Sequence, residues 1–185
     1  MRLLLARLKA DRRGVAAVEF ALIAPVLVTL MLGTFEMTQL AIAYMKVASA
    51  AETVADLITQ QKQVSSADIH DYFDAGELVL TPLPAASLKA QIVSITYDAG
   101  GTPQLGWQDP QNGAAAIDTT NAADVSAALS QLLNGNTLGG PGESVVAVQA
   151  TYSYVSPISY FVTGAITLSQ TAYSRPRLTA AVSHL

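Results

Sequence analysis

Cysteine is absent from the 185 residues, which excludes a disulfide framework, thiol catalysis and thiolate metal sites. Charge is scarce as well: Asp, Glu, Lys and Arg make up 13% of the chain against 51% hydrophobic residues. With a mean hydropathy of +0.35, this balance implies one domain beside a membrane segment rather than a wholly soluble protein. Histidine occurs only at His70 and His184, and tryptophan only at Trp107. Residues 1–14 hold five basic residues and one acid, a net of +4, so the chain's net charge of −4 leaves −8 on residues 15–185. So acidic a body excludes nucleic acid as a partner.

What is present begins with an apolar run, VAAVEFALIAPVLVTLMLGTF, residues 15–35, in which Glu19 is the one charged residue. Its length matches the roughly 20 residues a helix needs to cross the hydrocarbon core. Pro25 supplies no N–H and is expected to kink such a helix, which membranes tolerate. Because the basic cluster precedes the run, the positive-inside tendency leaves residues 1–14 cytoplasmic and everything beyond about residue 36 outside. A cleaved secretory signal is the competing reading, since Ala48-Ser49-Ala50 has the small-x-small pattern. The apolar run, however, ends well before that triplet and exceeds the roughly 7–15 residues of an ordinary signal core.

The helical pattern continues past the span. Met37, Leu40, Tyr44, Val47, Ala51, Val54 and Ile58 recur at three- and four-residue steps, and neither glycine nor proline falls between Glu36 and Gln63. One helix is therefore expected over residues 15–62, about 70 Å long at 1.5 Å per residue. Its outer apolar stripe needs a cover, supplied by the chain's own C-terminal domain, by neighbouring copies of similar helices, or by both.

Residues 63–185 read as an extracytoplasmic α+β domain with a small antiparallel sheet that buries one face against the long helix. Ser65-Ser66-Ala67-Asp68 starts a short helix expected to stop at Gly76. ELVLTPLP, SLKAQIVSITYD, QLGWQD, ESVVAVQATYSYV and ITLSQTAYSRP are expected strands, with AGGTP as a hairpin loop. Thr120 or Asn121 caps a helix ending at Gly135. SPISYFVTG, residues 156–164, is too apolar for a flexible linker and is expected to pack or to touch the membrane surface.

Few residues invite chemistry. His70 stands among Asp68, Asp71 and Asp74, but the spacing matches no recognised ligand set and reads as solvated charge. His184 is expected to be disordered at the terminus. GGPGE, residues 139–143, lacks the lysine of a phosphate loop and reads as a turn. Trp107 is expected to finish a core, and Arg175-Pro176-Arg177 to terminate an edge strand. The expectation is a protein that is not an enzyme and needs no cofactor, metal or small-molecule substrate.

Glu19 is the exception, because an ionisable residue within a membrane segment costs up to roughly 3 kcal/mol at the bilayer centre and is a functional candidate by default. Snorkelling to the headgroups, or pairing with Arg12 or Arg13, would make it merely structural. The surrounding string, basic residues, then Gly14, then an apolar helix with Glu at its fifth position and Phe20 next, resembles the signal of type IV pilins and pseudopilins. Within that group, RRGVAAVEFALIAPVLVTLMLGTFEM is similar to the TadE-like family of the tight-adherence (Flp, type IVb) pilus system. The likeness covers about residues 12–60, with a weaker echo in ITLSQTAYSRPR.

The resemblance implies a minor pseudopilin of the bacterial inner membrane, with its head in the periplasm, acting in pilus assembly or biogenesis and so in adhesion and biofilm formation. It implies that a prepilin peptidase cuts between Gly14 and Val15, removing a leader of residues 1–14. It assigns Glu19 and Phe20 to recognition and assembly, Glu19 neutralising the new α-amine of an adjacent subunit. A carboxylate in the first turn is also favoured by the helix dipole. Partners would be other pilins or pseudopilins and the assembly machinery. TadG-like relatives carry a much larger extracytoplasmic region, and major Flp pilins are far smaller with Glu-Tyr in place of Glu19-Phe20. The alternative is a single-pass, membrane-anchored periplasmic binding or sensor module whose N-terminus is only an anchor.

Overall fold

The computed structural model describes residues 14–185; the arginines of the expected leader lie outside the described residues. Helix α1 runs unbroken from Val15 to Thr59, through Pro25. It ends three residues short of the expected Lys62, because the chain returning from the sheet meets it there. The Arg177 N–H donates to the Thr59 carbonyl at 3.0 Å, and the Arg177 guanidinium pairs with Asp56. Arg175-Pro176-Arg177 thus closes a helix end that would otherwise present open carbonyls, besides leaving the sheet.

Strand β1 (Gln63–Val64) and helix α2 (Ser66–Val79) follow. Ser65 and Asp68 form a capping box: the Ser65 hydroxyl accepts the Asp68 N–H at 3.3 Å, and the Asp68 carboxylate accepts the Ser65 N–H at 2.9 Å. The Ser65 hydroxyl and then its N–H hold the Asp68 carboxyl below the usual range. The expected stop at Gly76 is wrong, and so is the expected strand in ELVLTPLP. α2 continues to Val79, and Gly76 faces α1, where a Cβ would come within 2.7 Å of the Val54 side chain. Close helix–helix approach, not termination, is the reason for that glycine. Lys46 of α1 donates to the carbonyls of Val79 (3.0 Å) and Thr81 (2.6 Å), a cation at a helix C-terminus.

After a short 3₁₀ turn (Ala85–Ser87) come β2 (Leu88–Tyr97), β3 (Pro103–Gln111), α3 (Ala122–Leu132), β4 (Ser144–Val155), β5 (Ala165–Ser174) and β6 (Ser183–His184). Strands β2 to β5 make an antiparallel sheet in the order β3-β2-β4-β5. Asn121 caps α3, accepting the Ala123 N–H at 3.0 Å.

Period-two alternation sorts the sheet's side chains. Leu88, Ala90 and Ile92 of β2 and Val146, Val148 and Tyr152 of β4 join Ala43, Val47, Ala51, Val54 and Ile58 of α1 in the main core. The opposite face is covered as well. Val93, Ile95 and Tyr97 with Val145 and Ala147 form a second core under Leu129, Leu132 and Leu133 from the α3 region. The sheet is therefore a middle layer, covered by α1 and α2 on one side and partly by α3 on the other.

His184 is not disordered. β6 pairs in parallel with β1, Gln63 opposite Ser183 and Val64 opposite His184. The His184 ring lies 5.2 Å from the Trp107 ring, and its Nε2 is 3.4 Å from Asp109 Oδ2. Trp107 is half-buried against the main core and donates its indole N–H to the Val182 carbonyl at 2.8 Å.

Candidate functional site

The inner part of α1 holds the residues singled out from sequence. Gly14 sits at the N-cap without a side-chain cap, and among the described residues nothing would lie within 4 Å of a Cβ built on it. Val15 and Phe20 are 53% and 67% exposed, and every residue from Gly14 to Ile23 is exposed. Glu19 lies four residues after Val15, one turn on along the same face, and so falls just beyond the first turn, which holds no acid. The dipole benefit expected of a first-turn carboxylate is correspondingly weaker. This surface is long, apolar and uncovered, and α1 is a helix long and apolar enough to cross a membrane.

The structure adds a residue that sequence reasoning passed over. Glu36, the first residue after the apolar run, is 99% buried. Its Oε1 accepts the Ser156 hydroxyl at 2.8 Å and the Tyr160 N–H at 2.8 Å; its Oε2 accepts the N–H groups of Phe161 at 2.9 Å and Val162 at 3.1 Å. All four donors come from the loop between β4 and β5, some 120 residues later in the chain. Ser156 also organises the loop itself, its hydroxyl accepting the Ser159 N–H at 3.2 Å while its carbonyl accepts the Ser159 hydroxyl at 2.8 Å.

Burial raises the Glu36 carboxyl, but the three backbone N–H groups and the hydroxyl outweigh it and hold the pKa below its ordinary value. Charge-assisted bonds of this kind are roughly twice as strong as neutral ones. Tyr154 nearby is pushed the other way, by burial and then by the Glu36 charge. The chemistry available is that of an anchor: a fixed anion that gathers a loop's N–H groups. Two signals in the sequence pointed to it, an acid closing an apolar run and an uncharged loop too apolar for a linker. Only the fold joins them.

Elsewhere, His70 Nδ1 lies 3.3 Å from Gln111 Oε1, and among the described residues no three His, Asp or Glu side chains gather as a metal site would require. The GGPGE segment is a turn, Gly140 N–H donating to Glu143 at 2.9 Å. A polar cleft between the sheet and α3, lined by Gln91, Asp118, Asp124, Gln131 and Gln149, has a volume of about 340 Å³.

Residues 14–56 match the family model described as TadE-like protein. The matched stretch contains Gly14, Val15, Glu19, Phe20 and Glu36, and ends before the sheet begins. No curated protein and no solved structure matches the chain.

Proposed function

We propose that this chain, whose N-terminal helix is TadE-like, serves a tight-adherence pilus system as a minor pseudopilin. It would be held in the inner membrane by residues 15–35 with its head in the periplasm. The observation that carries the reading is that the matched stretch, residues 14–56, opens on a helix segment, Gly14 to Ile23, that is exposed throughout among the described residues. Val18, Phe20, Leu22, Leu30 and Met31 are each more than 60% exposed. Lipid and the helices of neighbouring pilins or pseudopilins are the surroundings that would satisfy such a surface.

In this reading a prepilin peptidase removes residues 1–14 by cutting after Gly14, and the exposed, sterically free glycine suits entry into a protease site. The cut creates an α-amine on Val15. Glu19 of an adjacent subunit then pairs with it, which offsets the cost of holding both charges in apolar surroundings and checks helix register during assembly. Phe20 contributes to recognition.

Co-expression with a matching prepilin peptidase, followed by mass spectrometry of the N-terminus, is the test. The expected mature chain begins at Val15, and in the same strain Glu19→Gln inserts normally but impairs piliation. An intact leader would defeat the processing step, and normal piliation in Glu19→Gln would defeat the pairing.

A further inference from the structure

We propose that the loop of residues 156–164 is seated in the outer-leaflet interface of the bilayer, with Ile158, Tyr160 and Phe161 lodged at the boundary of headgroups and acyl chains, and that Glu36 is the latch holding it there. The inference rests on α1 crossing a bilayer with residues 15–35.

Depth is the first argument. Phe161 packs on α1 at Gly33, where a Cβ would lie 3.2 Å from its ring. Gly33 is inside the apolar run, three residues or about 4.5 Å nearer the bilayer centre than Glu36. The Phe161 ring joins Leu30, Gly33 and Met37 in lining one apolar groove, so the loop's apolar surface is continuous with that of the span.

Exposure is the second. Tyr160, Phe161 and Ile158 are 56%, 49% and 39% exposed. Large apolar side chains left open in a cluster mark a surface that meets something other than water, and Tyr is characteristic of the membrane interface.

Pairing of four consecutive backbone N–H groups at the centre of the loop is the third argument. Irregular backbone can approach hydrocarbon only when its polar groups are paired within the protein. The N–H groups of Tyr160, Phe161 and Val162 are taken by Glu36 and that of Ser159 by Ser156. No charged side chain occurs from Ser144 to Ser174. The carboxylate itself is enclosed between helix and loop, so the charge ending the apolar run is shielded by the segment that it orders.

The absence of cysteine permits single-site spin labelling of the full chain. Ile158→Cys and Tyr160→Cys would carry the nitroxide, with Leu27→Cys as a marker within the span and Leu178→Cys, 60% exposed on the head, as a marker in water. Samples are reconstituted in phosphatidylethanolamine–phosphatidylglycerol vesicles, and the relaxation of each label by oxygen and by a neutral nickel chelate is compared. The 158 and 160 labels are expected to favour oxygen over the chelate, at a depth of about 5 Å, shallower than label 27 and clearly distinct from label 178.

If 158 and 160 behave like 178 while 27 stays deep, the seating is overturned and the span stands; if 27 also behaves like 178, the span reading itself fails. Labels screened from both reagents, with spin–spin broadening that grows with protein density, would mean a second copy covers the loop, which also overturns the proposal. Glu36→Gln sets an amide N–H₂ against the loop's donors, and is expected to move label 160 toward water without moving label 27. An unchanged depth for label 160 in that variant would overturn the latch.

Discussion

From Val15 to Phe35, α1 turns Val18, Phe20, Leu22, Leu30 and Met31 outward; from Glu36 to Thr59 the same helix hides Ala43, Val47, Ala50, Ala51, Val54, Ala55 and Ile58 beneath the head. The first half is apolar all round with Glu19 as its one charge, whereas the second confines its apolar residues to a stripe and carries Lys46, Glu52 and Asp56 elsewhere on the wheel. Side-chain size differs as well. The buried stripe of the outer half is built largely of alanine and valine, which lets α2 and the sheet come close. The inner half carries Leu, Ile, Phe and Met in every direction, as a helix surrounded by apolar material does. Glu36 stands where one regime gives way to the other, and its hydrogen bonds tie the last loop of the sheet to that boundary.

If the two halves answer to different partners, equivalent substitutions should have unequal consequences for the head. The largest contrast is between Ile58→Ala and Leu27→Ala. Ile58 is fully buried, so its truncation is expected to destabilise the head by about 2–5 kcal/mol. Leu27, 54% exposed, is expected to change it by less than about 0.5 kcal/mol. Urea titrations in detergent micelles, followed by Trp107 fluorescence, measure both, and equal shifts would mean that the head extends its influence along the whole helix.

Two glycines give a finer contrast. Gly76→Ala forces a methyl to within 2.7 Å of Val54 between two packed helices, and overpacking there costs about 1–3 kcal/mol, part of which alanine's better helix propensity returns, about 1 kcal/mol. Gly33→Ala meets only the edge of the Phe161 ring at 3.2 Å. Because that ring is half exposed, it can yield by a few tenths of an ångström. The same titrations should show a clear loss for Gly76→Ala and almost none for Gly33→Ala.

Acid gives the smallest effect per group. Asp98 is held below its usual range by the Thr102 N–H and its neighbours, and Asp118 by the Thr120 hydroxyl and N–H; Glu36 and Asp68 are lowered as well. For a depressed carboxyl the stabilisation is fully present above its unfolded pKa, about 4, and is lost as pH falls through the lower folded value. The urea midpoint of the head is therefore expected to drop below about pH 4, with a shallower drop in Asp98→Asn, while Glu77, raised by burial and then by Asp74, works in the opposite direction. Leu27→Ala should follow the wild-type profile, since it alters none of these groups.

Much of this architecture is legible locally. Alternation in SLKAQIVSITYD and ESVVAVQATYSYV marks real strands, Asn121 and Ser65 mark real helix starts, and the three- and four-residue steps from Met37 to Ile58 mark the stripe that the sheet covers. The failures have one physical cause, that a residue's role can depend on a neighbour remote in sequence. Gly76 reads as a stop, yet α1 lies against it and needs the missing Cβ. ELVL reads as a strand, but Lys46 collects the carbonyls at the end of a continuing helix. His184 reads as a loose terminus, but β1, Trp107 and Asp109 hold it.

The sequence alone determined the apolar run, the position of Gly14, Val15, Glu19 and Phe20 at its start and the basic cluster before it. These follow from the order of side chains and from the cost of placing charge in hydrocarbon, which need no knowledge of the rest of the chain. Only the tertiary structure decided what Glu36 does. Three of its four partners are backbone N–H groups, common to every residue but proline and so invisible in a sequence, and it takes the hairpin of β4 and β5 to bring them, with the Ser156 hydroxyl, across some 120 positions to one carboxylate.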